Sequence, residues 1–95
     1  MSKIINQQNF VENGQFSGGV AVTPVSGSAY NNSTAGNPTN FGFVAGGLYV
    51  GGIGTLVFKT ADNSTLTFTN AFGFIPGIVT AVSSSSTATN IVALK

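Results

Sequence analysis

The clearest alternation of apolar and polar positions lies between residues 46 and 69. Leu48 and Val50 fall on one side of an extended chain and Tyr49 on the other. Leu56 and Phe58 then share a face, with Thr55, Val57 and Lys59 on the opposite one. After "TADNST" the pattern resumes as Leu66 and Phe68 between Thr65, Thr67 and Thr69. Bringing the apolar sets onto one face sets Phe58 opposite Leu66 and Leu56 opposite Phe68, or a register shifted by two. The first register leaves a hairpin loop of Ala61, Asp62 and Asn63, with Asn63 at a left-handed position that Asn tolerates.

Elsewhere the pattern is weaker. Residues 1–19 scatter Ile4, Ile5, Phe10, Val11 and Phe16 among Asn, Gln and Gly without lasting periodicity, which predicts an extended N-terminal arm whose large side chains dock elsewhere. "GVAVTP" at 19–24 predicts a short strand ended by Pro24. Residues 25–40 are turn-forming almost throughout and predict a long loop. Beyond residue 41 a succession of strands with short turns is expected: a bend at Pro76-Gly77, a strand over 78–82, a turn at "SSSSTAT" and a closing strand over 90–94. No helical periodicity of useful length occurs. The reading is an all-β domain over 20–95, with Leu48, Val50, Leu56, Phe58, Leu66, Phe68, Ile78, Val82, Ile91 and Ala93 as core candidates.

Residues 41–58 carry no charge over eighteen positions, close to the lower limit for a membrane-spanning helix. Six glycines in that stretch would each cost about 1 kcal/mol relative to Ala in a helix, and no basic cluster flanks it. Strands punctuated by glycine explain it better, so no membrane partner is expected. "MSKIINQQNF" lacks the apolar run of a signal peptide, and the Asn-x-Ser/Thr matches at Asn31, Asn32 and Asn63 then lack a secretory context.

Composition narrows the function. The 95 residues suffice for one small domain and contain neither Cys nor His, which removes disulfides and the commonest transition-metal ligands. Among staples for so small a scaffold, oligomerisation stays open. Lys3, Glu12, Lys59, Asp62 and Lys95 are the only ionisable acids and bases, for a net charge of +1. No basic stripe exists to displace counterions from nucleic acid. A weakly charged surface tolerates close approach by neighbouring proteins.

Side chains with reactive chemistry are few. Gly52-Ile53-Gly54 is followed by Val57 and a strand, which is not a nucleotide loop. Triads that need His cannot form. A Ser–Lys dyad would fall to Lys59, expected on the solvated face of a hairpin, and paired carboxylates to Glu12 and Asp62, one in the arm and one in a turn. Tyr30 and Tyr49 could stack on sugars. The reading is a non-enzyme without cofactor or metal.

Residues 46–95 carry a resemblance. "GGLYVGGIG" (46–54), "FIPGIVTAV" (74–82) and "SSTATNIVAL" (85–94) resemble the head spike base proteins, small β proteins of phages and gene transfer agents, and "AVTP" (21–24) fits their opening strand. Where that family tends to carry arginines, this chain has Gly47 and Gly77-Ile78. The resemblance implies a β-sandwich or jelly-roll-like module that oligomerises on a capsid. The expected function is therefore a phage capsid cement or decoration protein, on the virion exterior, with the major capsid protein as partner through Ile4, Ile5, Phe10, Val11 and Phe16. A homo-oligomer is expected, a trimer in preference to a pentamer. Alternatives are the base of a head spike or tail fibre at a vertex or tail, and a carbohydrate-binding module.

Overall fold

A computed structural model describes residues 18–95. The chain forms strand β1 (Gly19–Ala21), a single helical turn α1 (Ser28–Asn31), and strands β2 (Ala45–Thr60), β3 (Thr65–Val82) and β4 (Thr89–Leu94). The domain is all-β, one sheet in the order β1-β4-β2-β3. Among the described residues no helix is long and apolar enough to cross a membrane, and most of the 41–58 stretch is strand.

The sheet is organised around β2. Residue numbers fall along β3 as they rise along β2, from Ala45 opposite Val79 to Lys59 opposite Thr65, so the two strands run antiparallel. From Val79 onward the chain passes to the other edge of β2. There Val79 lies opposite Thr60, Ala81 opposite Lys59 and Val82 opposite Phe58. The Ser83 amide donates to Val57 O at 2.8 Å, and the Thr87 and Ala88 amides both donate to Thr55 O. Finally β4 follows the rest of that edge, from Thr89 opposite Gly52 to Leu94 opposite Gly47. β2 is thus paired on both sides along nearly its whole length.

This arrangement requires β2 to curl. Sixteen extended residues would span about 50 Å, yet both ends flank Val79, each within about one strand spacing of 5 Å. The curl occurs where the glycines lie. Gly52 and Gly54 share the inward parity of Leu48, Val50, Leu56 and Phe58, and there the 87–89 segment crosses against bare backbone. A Cβ on Gly54 would sit 2.6 Å from the Ala88 amide nitrogen, and one on Gly52 would meet Thr89 Oγ1. The glycines expected to punctuate strands thus serve as positions of close approach inside one continuous strand.

The hairpin forms in the expected register, Phe58 opposite Leu66 and Leu56 opposite Phe68, with Asn63 at φ 69°. Leu48, Val50, Leu56 and Phe58 are buried with Ala71, Ile75, Val79, Val82, Ala88, Ile91 and Ala93 in one core, against which Val22, Phe41 and Phe43 pack. Three expected core residues are corrected, for Leu66, Phe68 and Ile78 are exposed. Leu66 and Phe68 do face the core side, and the Phe68 ring meets Phe58 edge-on at 5.4 Å, but the hairpin end projects past the core. Ile78 lies on the outer face because the phase of β3 changes at Asn70, whose φ of 55° marks a bulge. The sum of paired residue numbers shifts there, from Leu56–Phe68 to Gly54–Ala71. Ala71, Ile75 and Val79 consequently turn inward, and Phe72, Phe74 and Ile78 outward.

Loop 27–44 is held by neutral polar side chains. Ser33 is fully buried; its hydroxyl donates to Thr80 O at 2.7 Å and accepts from the Thr39 amide at 2.9 Å. Asn40 donates to Thr23 O and accepts from the Val82 amide, both at 2.9 Å. Satisfied polar partners of this kind are what the buried Ser33 requires.

Phe58→Ala should destabilise the domain by about 3–5 kcal/mol in urea unfolding, since the ring is buried and its site is shared by both sheet halves. Gly54→Val should cost about 1–3 kcal/mol by the same measurement, because the atoms it meets are backbone of residues 87 and 88.

Candidate interaction surface

The outer face of the sheet carries large apolar side chains that the core does not use. Tyr49 on β2 lies opposite Phe74 on β3, with Phe72 two positions along the same face. Ile53 is 64% exposed and Phe72 60%, and Tyr49, Phe74 and Ile78 are also exposed. The Phe74 ring lies over Gly47, where a Cβ would come within 2.7 Å of it. A glycine there lets the aromatic ring lie flat along the sheet rather than stand off it. Beside Ile78, a shallow open depression of about 450 Å³ is lined by Leu66 and by Thr60, Ala61, Asp62 and Ser64 of the hairpin loop.

Charge is nearly absent from this surface. Lys59, expected in solvent, is only 6% exposed. Loop 27–44 covers its face of the hairpin, and the ammonium donates to Asn31 O at 2.7 Å and Ser33 O at 3.1 Å while lying 5.3 Å from the Tyr30 ring centroid. Carbonyls at the end of a helical turn and an aromatic face are both favourable places for a cation. Lys59 thus ties α1 to the sheet. The ammonium reaches the carbonyl of Ser33 and not its hydroxyl, which is occupied by Thr80, so the geometry of a Ser–Lys dyad is not made there. Tyr30 is committed as well, with its hydroxyl 2.9 Å from Thr65 Oγ1. Tyr49 is left as the open aromatic platform.

Asp62 sits at the hairpin loop. The Thr60 hydroxyl and the Ser64 amide, at 3.1 Å, both donate to its carboxylate. These hydrogen bonds, the Thr60 hydroxyl first, hold its pKa below the ordinary 3.8.

The arm residues expected to bind a partner, Ile4, Ile5, Phe10, Val11 and Phe16, lie outside the described residues. Of the exposed patch, sequence reasoning placed Tyr49 on the outward face but missed Phe72 and Phe74, and assigned Ile78 to the core. The signal was Asn70, of the same residue type that marks the hairpin loop at Asn63. No protein-family model matches the chain, and no curated protein or solved structure matches it significantly.

The depressed pKa of Asp62 has a definite sign. Its contribution to stability is complete above the unfolded value near 3.8 and is lost as pH falls through the lower folded value. Asp62→Asn should therefore flatten part of the acid limb of a melting-temperature profile while leaving neutral-pH unfolding cooperative.

Proposed function

We propose that this chain is a structural virion protein of a bacteriophage. It acts as a cement or decoration protein that binds the outside of the major capsid protein lattice and stabilises the head. The observation that carries the reading is the outer face bearing Tyr49, Ile53 and Phe72, apolar and nearly free of charge, on a domain of net charge +1. Apolar area left in water costs about 25 cal/mol per Å², and contiguous exposed apolar patches mark interaction sites. Aromatic side chains with few charges are also what the centre of a protein interface uses. The resemblance of residues 46–95 to phage head spike base proteins supports the capsid as the surface to be met. Under this reading the protein is non-catalytic, and residues Ile4 to Phe16 add a second attachment on the major capsid protein.

Heads assembled from the cognate major capsid protein alone provide the test. The purified chain should co-sediment with them saturably, at a copy number proportional to that of the capsid protein. Replacing Phe72 with Ser should change stability by no more than about 0.5 kcal/mol, as expected at an exposed site, yet weaken binding about tenfold or more. Deleting residues 2–16 should also lower occupancy sharply. A chain that fails to bind heads, or saturates only at vertices, would contradict the cement assignment.

A further inference from the structure

The free edge of β3 carries an inference that does not depend on the capsid reading. β3 is an outer strand of the sheet, and among the described residues only β2 pairs with residues 65–71. The Thr60 amide donates to Ser64 O at 2.8 Å, which makes 60 and 64 a hydrogen-bonded pair. By the alternation of an antiparallel ladder, Leu66 and Phe68 then direct their backbone groups to β2, and Thr65, Thr67 and Thr69 direct theirs outward. Natural sheets shield such edges with lysine, proline or a bulge. Here the first bulge is at Asn70 and the first proline at Pro76, so residues 64–69 carry none of these devices and no charge.

We infer that this edge pairs with the same edge of a second copy, antiparallel about a two-fold axis through Thr67. Antiparallel pairing of a strand with its own copy is isologous for any sequence, and the near-palindrome Thr65-Leu66-Thr67-Phe68-Thr69 makes the apposed positions like with like. Thr67 meets the partner's Thr67, and Thr65 meets the partner's Thr69. Each such pair exchanges two backbone hydrogen bonds, so three pairs supply about six. On one face threonines oppose threonines. On the other, Leu66 lies beside the partner's Phe68, and the apolar surface that the single hairpin leaves 40% and 39% exposed is covered. The two Asp62 carboxylates fall at opposite ends of the paired strands, so no like charges meet. A two-fold edge gives an even-numbered assembly in place of the trimer expected from sequence, and it leaves Tyr49, Ile53 and Phe72 available on the sheet face.

The absence of native cysteine makes the register directly testable. In a hydrogen-bonded antiparallel pair the Cα atoms lie about 5.5 Å apart, inside disulfide range, so Thr67→Cys should oxidise to a covalent dimer. Thr65→Cys alone should not, because its copies are about 13 Å apart along the strand, but a mixture of Thr65→Cys and Thr69→Cys chains should link. By light scattering the wild-type chain should have the mass of a dimer. Thr67→Lys, which sets two ammonium groups face to face without removing any β2 hydrogen bond, should be monomeric with an unchanged circular dichroism spectrum. A wild-type monomer at the highest soluble concentration would overturn the inference. So would an oligomer unaffected by Thr67→Lys, or Thr67→Cys that links no faster than Thr65→Cys. Should Thr67→Lys fail to fold, the cysteine pairs decide the matter alone.

Discussion

Everything in this domain depends on Val79 having the two ends of β2 as its neighbours, Ala45 on one side and Thr60 on the other. A chain this small, with no cysteine to form a disulfide staple, gains a core only if its sheet covers itself. The curl of β2 supplies that cover. It brings Leu48 and Val50 from one half of the strand against Leu56 and Phe58 from the other, and buries Val79 and Val82 between them. Side chains on the inner face at Gly52 or Gly54 would hold off residues 87–89 and open the curl.

The same closure decides what faces water. Once the inner face is filled by one phase of β2, β3 must match that phase twice, first through Leu66 and Phe68 and then through Ala71, Ile75 and Val79. The two stretches are out of step by one residue, and Asn70 absorbs the difference in a left-handed conformation. The consequence appears on the outer face, because the phase that buries Ile75 turns Phe72, Phe74 and Ile78 outward beside Tyr49. An apolar outer face is thus a by-product of the bulge that completes the core. Loop 27–44, with Lys59 as its peg, covers the hairpin end of β2 and leaves the Tyr49 face open.

Local chemistry was legible in the sequence where neighbours in the chain are neighbours in space. The hairpin register, the left-handed Asn63 and the strand closing at Leu94 follow from alternation and turn preference alone. Lys59 was placed in solvent because its hairpin face is polar, and nothing nearby in sequence announces that Asn31 and Ser33, some thirty residues earlier, supply its carbonyl partners. What Gly51, Gly52 and Gly54 approach is hidden for the same reason, because their partners at 87–90 lie far along the chain. Phe72 and Phe74 were lost to a single missed phase change. The arm residues Ile4 to Phe16 fall outside the described residues, so the site expected there and the exposed apolar patch on the sheet are different places.

Solution NMR on the isotopically labelled chain tests the closure most directly, through cross-strand contacts of the Val79 backbone. A closed sheet requires contacts from Val79 to Ala45 and, in the same molecule, to Thr60, together with contacts from Gly54 to Ala88. Contacts from Val79 to Ala45 alone, with Thr60 remote and Gly54 free of residue 88, would describe an open hairpin and contradict it.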